Sequence, residues 1–198
     1  MGALAAAFDS VCDPTAGIIA GFDRGAPGPG MPRLPVLGAK LCDTGALGAV
    51  AVARSVSAGG ASAQAARMAA MRAALARYCA AFYDRAGLPM ATAADAPFRC
   101  LDPAALALFS PEQYGRPGFP YVPFDADTPV RWSGALDLAS GEAIHLPAGS
   151  VLYPFAYRRE AGDLPVVPPH HQGLACGEGV ADAALTGLSE GVACDAAA

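Results

Sequence analysis

The chain has 198 residues, 54% of them hydrophobic, which is enough for one domain with a sizeable core. Its net charge is −5 with a single lysine, so the sequence lacks the basic patch that a nucleic-acid partner requires. The longest apolar runs are short and broken by Gly or Pro, which argues against a membrane span. The N-terminus has no positive region and meets Asp9 early, so it is a poor signal peptide and we expect a cytoplasmic protein.

Cysteine is the one residue type that raises the question of a metal or disulfide framework. The six cysteines form no CxxC pair and show no metal-binding spacing with histidine. In a cytoplasmic protein this pattern predicts reduced, mostly buried thiols. They are Cys12, Cys42, Cys79, Cys100, Cys176 and Cys194.

The first part of the chain reads as short strands and loops. Val11–Ala20 has Asp-Pro and Gly before two isoleucines, which predicts a turn and a short strand. Residues 21–35 are rich in Gly and Pro and predict a loop. Residues 36–56 carry regularly spaced Val and Leu, and we expect two short strands broken at residues 43–45.

A long helix is predicted from about Ser62 to Ala86. Apolar residues recur there at spacings of three and four, which indicates one stripe facing a core. Gly87 and Pro89 follow and would end the helix. The stripe consists of Met68, Met71, Leu75, Tyr78, Cys79 and Phe82.

The second half of the chain is predicted to hold two helices separated by loops. Residues 103–109 favour a short helix after Asp102, and residues 110–129 favour a Pro/Gly loop. A final helix is expected from Gly179 to about Ala193, beyond a polar, Pro-rich stretch at residues 159–172. One side of this helix is predicted to carry Val180, Ala184, Leu188 and Val192.

Residues 130–151 predict a β-hairpin. One strand covers Trp132–Leu138, a turn falls at Ser140-Gly141, and a second strand passes through Ile144 and Leu146. Trp132 is most simply an anchor of the core.

Four segments in order resemble motifs of the YcaO domain family, which uses ATP to activate backbone amides of ribosomal peptides. VCDPTAGII is similar to the opening strand, although its threonine stands one place early; SAGGASAQAARMAAMRAALARYCA is similar to a Gly-Lys-Gly turn and the helix after it. WSGALDLASGEAIHLPAGSV and GLACGEGVADAALTGLSEGVACDA resemble later motifs. The resemblance implies an α+β fold, with an antiparallel or mixed sheet packed on helices. It also implies that residues 1–198 form a single domain, truncated to about the N-terminal half of the family's.

In this family a turn lysine and helix carboxylates would hold ATP and Mg²⁺. The resemblance places Gly59 at the position of that lysine and Ala69 at that of a helix serine. Ala73 and Ala76 stand where the family has glutamates, and Arg77 alone is retained on this helix.

The last helix departs from the family pattern in the same way. The family's asparagine falls on Glu178, a glutamate on Asp182 and a glutamine on Thr186, whereas Glu190 is retained. A final glutamate and arginine are replaced by Ala193 and Cys194. The resemblance therefore implies nucleotide positions at Arg77, Thr186 and Glu190, and metal positions at Asp182 and Glu190.

Simpler interpretations stand beside these assignments. Glu178, Asp182, Thr186 and Glu190 recur every four residues, which is also the pattern of an ordinary solvated helix face. Arg77 could pair with a nearby acid.

Two further candidates have equally plain interpretations. His170 and His171 read as an exposed pair in a Pro-rich loop. Cys176 reads as a small buried thiol for which no activating base is identified.

Three functional hypotheses remain open at this stage. The first is a non-catalytic YcaO-like subunit that binds neither ATP nor magnesium alone and needs a protein partner or a second copy. The second is an ATP-dependent cyclodehydratase acting on a peptide, with a composite site completed by another chain. The third is a decayed gene product, against which the preserved helix periodicity and turn glycines argue.

Overall fold

The computed structural model describes residues 10–25, 34–106 and 108–196. The chain divides into two compact units, one comprising Met1–Phe82 with His171–Ala198 and the other Tyr83–His170. Within the described residues each unit holds a three-stranded antiparallel sheet accompanied by helices, which confirms the α+β class. In chain order the elements are β1 (Ile19–Arg24), β2 (Val36–Leu41), β3 (Ser55–Gly59), α1 (Ala63–Ala80), β4 (Met90–Ala91), α2 (Pro111–Tyr114), β5 (Val130–Leu136), β6 (Ala143–Pro147), α3 (Ala148–Val151) and α4 (Val180–Ala196).

The sheet of the first unit places β2 between β1 and β3. β1 continues to Arg24, so the prediction of a loop from residue 21 is wrong for the first four residues. The reason is pairing, since Phe22 lies opposite Ala39 and Arg24 opposite Leu37 across the ladder. Residues 26–33 of the predicted loop lie outside the described residues.

A compact loop separates β2 from β3. The predicted break at residues 43–45 is confirmed, but the second strand begins only at Ser55. The buried Thr44 explains the delay, because its hydroxyl donates to the Val50 carbonyl at 2.7 Å and accepts from the Val52 amide at 3.2 Å. These bonds hold residues 44–52 in a turn-like path that a strand could not follow.

α1 begins where the sequence predicts and ends six residues early. The Ser62 hydroxyl caps it by accepting from the Ala65 amide at 3.1 Å. At the other end, the Ala81 carbonyl accepts from the Val50 amide at 3.2 Å instead of continuing the helix ladder. The Asp84 carboxylate then accepts from the Ala86 amide, which fixes a turn in place of the last predicted helical turn.

α1 packs on β2 and β3 through small side chains. Its residues in the core of this unit are Ala70, Met71 and Ala74, joined by Ile19 and Leu41 from the sheet. Of the predicted apolar stripe only Met71 is fully buried. Met68, Leu75 and Tyr78 pack at the edge of this core, and Cys79 and Phe82 are exposed. Alanine lets the helix axis approach the sheet closely, so the larger side chains lie at its sides.

α4 confirms the predicted final helix and extends to Ala196. Its only fully buried residue is Gly187, while Val180, Leu185, Leu188 and Val192 are all more than half exposed. Three members of the predicted apolar side, Val180, Leu188 and Val192, therefore lie at the surface of the described unit, whereas Ala184 is half-buried.

The second unit contains the predicted hairpin, formed by β5 and β6. Trp132 is fully buried and its indole Nε1 donates to the Ala91 carbonyl at 3.0 Å, which confirms it as a core anchor. The predicted helix at 103–109 is a single 3-10 turn, Pro103–Ala105, among its described residues. The predicted loop at 110–129 contains α2, which Ser110 and Gln113 close with a reciprocal capping box.

The buried carboxylate of Asp163 joins three segments of this second unit. It accepts from Arg131 Nε at 3.0 Å and from the Arg158 amide at 2.7 Å, and it pairs with the guanidinium of Arg85. Burial lowers the pKa of Arg85, with the charge of Arg131 acting in the same direction. Two arginines thus depend on one acid for compensation of their charge.

We expect Asp163→Asn to lower the free energy of unfolding by about 3–5 kcal/mol, because it leaves two partly buried guanidinium groups without a negative partner. Urea unfolding measures the loss. Asp127→Asn is the matched control at an exposed position and should change stability by less than about 0.5 kcal/mol. Equal losses in the two variants would show that the Asp163 network contributes nothing.

Candidate functional site

A cavity of about 520 Å³ lies within the first unit, between α1, β3 and the segment that leads into α4. Small and polar side chains make up most of its wall. Its lining residues are Ser55, Val56, Ser57, Ala69, Arg72, Ala73, Arg77, His171, Leu174, Ala175, Cys176, Thr186 and Glu190.

α1 supplies two methyl groups and two guanidinium groups to this wall. Ala69 and Ala73 line it together with Arg72 and Arg77. Arg77 Nη1 also donates to the Ser55 carbonyl at 3.5 Å, which ties the helix to β3. Ala76 is buried and does not line the cavity. Two of the three alanines singled out in the sequence therefore face the cavity, and the helix brings no carboxylate to it.

α4 contributes Thr186 and Glu190 from the opposite side. The Thr186 hydroxyl donates to the Asp182 carbonyl at 2.8 Å, and Glu190 Oε2 accepts from the Gly173 amide at 3.2 Å. The structure thus brings together Arg77, Thr186 and Glu190, the three positions predicted for nucleotide contacts. Their role in binding stays a prediction.

Asp182, predicted as a metal position, does not line the cavity. Its Oδ2 lies 3.4 Å from Arg72 Nη1 and accepts from the Glu178 amide at 3.0 Å. The acidic stripe of the last helix is therefore engaged with α1 and with the preceding segment rather than with solvent alone.

Sequence reasoning missed several wall residues. Arg72 is the most important, and its position three residues after Ala69 places it on the same helix face. Ser55 and Ser57 lie two apart on β3, the spacing that puts both side chains on one side of a strand. His171 is exposed, as predicted, yet it also lines the cavity.

The cysteines are less buried than predicted, because four are half-buried and Cys79 and Cys194 are exposed. Burial raises the pKa of the Cys176 thiol, Cys79 adds to the effect and Arg72 opposes it. Because only the thiolate is a strong nucleophile, a raised pKa keeps Cys176 unreactive near neutral pH.

The fold and the cavity define an α+β protein with a pocket large enough for a ligand. A family model described as YcaO cyclodehydratase, ATP- and Mg²⁺-binding, matches residues 57–198, well over half of the sequence. The chain belongs to the YcaO family. No curated protein sequence matches it.

Solved structures show the same fold. A heterocyclase in complex with substrate and cofactor superposes with a TM-score of 0.71 at 19% identity, covering 93% of this chain and 26% of the heterocyclase. A YcaO protein from Methanopyrus kandleri bound with AMPPCP and Mg²⁺ gives a TM-score of 0.54 at 18% identity, covering 87% of this chain and 36% of that protein. The chain thus spans well under half the length of these relatives.

The cavity wall does not suit the Mg²⁺ of the family. Mg²⁺ prefers oxygen ligands in octahedral geometry, usually including carboxylates. On the α1 side it would meet guanidinium and methyl groups, and the described lining residues include one carboxylate, that of Glu190. Among the described residues no group of three or more His, Cys, Asp or Glu side chains could hold a metal ion. In the same residues no helix is long and apolar enough to cross a bilayer.

The α4 wall of the cavity depends on one close backbone approach. A Cβ added at Gly187 would lie 2.5 Å from the Gly173 carbonyl oxygen, which is closer than any real contact. Gly173 itself has φ +81°, a conformation that favours glycine. The two glycines therefore let the segment before α4 lie directly on the helix.

We expect Gly187→Ala to destabilise the protein by about 1–3 kcal/mol, because the methyl group must displace backbone rather than a flexible side chain. Gly191→Ala is the matched control on the same helix, where an added Cβ meets nothing within 4 Å. It should be neutral or stabilise by up to about 1 kcal/mol through helix propensity. Thermal unfolding compares the two, and a stabilising Gly187→Ala would contradict the close approach.

Proposed function

We propose that this chain is a partner-dependent YcaO subunit in the biosynthesis of azoline- or thioamide-containing ribosomal peptides, acting in the cytoplasm. It does not bind Mg-ATP by itself. One observation carries the proposal: α1 presents Ala69, Arg72 and Ala73 to the cavity where a metal-nucleotide would need oxygen ligands.

The size of the expected loss of affinity for Mg-ATP follows from the strength of charged contacts. A hydrogen bond to a charged group contributes about 1.5–3 kcal/mol, and each 1.4 kcal/mol changes affinity about tenfold. Losing the contacts of a turn lysine and two helix carboxylates would lower the affinity for Mg-ATP by several orders of magnitude. If an intact site binds Mg-ATP with a micromolar dissociation constant, this chain would then not bind it at cellular nucleotide concentrations.

Dependence on a protein partner is supported by the surface of α4. Val180, Leu185, Leu188 and Val192 are exposed there. Exposed apolar side chains of this kind favour a protein interface, and a protein chain that covers this surface of α4 is the partner we propose.

We expect the isolated chain to give no saturable heat with Mg-ATP in calorimetry at nucleotide concentrations up to about 1 mM. The physical reason is the absence of carboxylates on the α1 wall, so added Mg²⁺ has few ligands beside the nucleotide. A parallel titration with ATP in EDTA separates metal-dependent from metal-independent binding. Micromolar binding that requires Mg²⁺ would refute the proposal.

A second candidate is a composite cyclodehydratase, in which another chain supplies the missing carboxylates and binds the peptide substrate with this one. It is favoured by the convergence of Arg77, Thr186 and Glu190 on one cavity. A retained acid and a retained arginine could then contact a nucleotide whose metal is held by the partner.

For the composite enzyme we expect Glu190→Ala to reduce ATP consumption by the reconstituted pair at least tenfold, since one charge-assisted contact to the bound ligand would be lost. Glu178→Ala is the matched control, because Glu178 is exposed and does not line the cavity. Phosphate release measures both variants. If Glu190→Ala and Glu178→Ala leave turnover equally intact, the composite site does not use this helix.

A further inference from the structure

One contact connects the two helices on which the family's metal ligands are expected. Arg72 Nη1 of α1 lies 3.4 Å from Asp182 Oδ2 in the first turn of α4. The two side chains are 31% and 42% exposed, so the pair is partly shielded from solvent. The positive charge in this contact is the guanidinium of Arg72, a side chain of the protein and not a bound metal ion.

The same carboxylate also holds the segment that precedes α4. Asp182 Oδ2 accepts from the Glu178 amide at 3.0 Å, and a Cβ added at Gly177 would meet the Ala183 amide nitrogen at 2.5 Å. The turn before α4 is therefore packed on the first turn of the helix. Arg72 reaches this packed corner from α1, so one acid links α1, the turn and α4.

A divalent cation between two helices acts by neutralising carboxylates that would otherwise repel each other. Here α4 carries the acid and α1 carries a guanidinium, so the charges are already balanced across the gap. Arg77 on the same wall adds a second positive charge, which further disfavours a bare metal ion.

We propose that Arg72 takes the place of a divalent cation between α1 and α4, so that this unit is held together without metal. The inference rests on the proposed function, because the ion replaced is the Mg²⁺ named for the YcaO family. The inference goes beyond the proposed function because it assigns a role to Arg72. Arg72 is a positioning residue that fixes the α4 wall of the cavity relative to α1.

The first experiment is a double-mutant cycle of Arg72→Gln and Asp182→Asn, followed by urea unfolding in EDTA. We expect the double variant to be more stable than the sum of the single changes predicts, by about two- to fivefold in the unfolding equilibrium constant. The Lys40–Asp23 pair on β2 and β1 is the matched control, being an exposed ion pair of the same unit. Its cycle should give the smaller coupling, and a zero coupling for Arg72 with Asp182 would overturn the inference.

The second experiment reverses the charge. Arg72→Glu sets two carboxylates against each other, and Mg²⁺ or Mn²⁺ would then gain two ligands between the helices. We expect about 10 mM Mg²⁺ to raise the melting temperature of this variant by about 2–4 °C over EDTA at matched ionic strength. The wild type, Arg72→Gln and the double variant Arg72→Glu/Asp182→Asn should not respond.

The outcomes separate this inference from the proposed function. A wild-type melting temperature that rises with Mg²⁺ as much as that of Arg72→Glu would overturn the replacement of the metal. An Arg72→Glu variant that folds but whose melting temperature does not change with Mg²⁺ would also overturn the replacement of the metal. It would not affect the proposal that the chain does not bind Mg-ATP. If Arg72→Glu does not fold, the coupling measured with the milder Arg72→Gln decides the question. Micromolar Mg-ATP binding with intact coupling would refute only the proposed function.

Discussion

The close packing of α1 on the first sheet determines where the α1 residues of the candidate site lie. Ala70, Met71 and Ala74 are buried against the sheet. Successive residues of a helix are turned by about 100°, so burial of this face fixes the direction of all the others. As a consequence, the face of α1 toward the cavity is formed by Ala69, Arg72 and Ala73. A larger side chain at Ala70 or Ala74 would move the helix away from the sheet, and the α1 part of the cavity wall would move with it.

Alanine therefore has two different roles on this one helix. On the sheet side it allows the helix to approach closely, a structural role. On the cavity side it leaves the α1 part of the wall without oxygen ligands, and the charged side chains of that part are Arg72 and Arg77. Such a wall is suited to holding acids of the protein, as Arg72 holds Asp182, and poorly suited to holding a cation. The family fold is thus compatible with a positively charged α1 wall, whose charge is opposite to that required for a bare metal ion.

Local signals in the sequence were sufficient to predict much of the fold. The start of α1 near Ser62, the Trp132 hairpin and the final helix each depend on residues close together in the chain, and the structure confirms them. The errors depend on bonds that the spacing of apolar residues does not reveal. α1 ends early because the Ala81 carbonyl pairs with the Val50 amide, and the strand after β2 is delayed because Thr44 bonds across its own loop. Helix periodicity cannot reveal a partner thirty residues away.

The candidate site could also be predicted only in part, but for a different reason. Arg77, Thr186 and Glu190 could be found because the family resemblance supplies a pattern to compare them with, and they do lie in one cavity. Arg72 could not be found in this way, because it does not occupy a motif position of the family. An arginine on a helix is ordinarily interpreted as a solvated charge. Its importance appears only when Asp182, 110 positions later in the numbering, is found 3.4 Å away. A guanidinium already attached to the facing helix neutralises Asp182 at a lower cost in free energy than a free metal ion would, since it loses no translational freedom on binding.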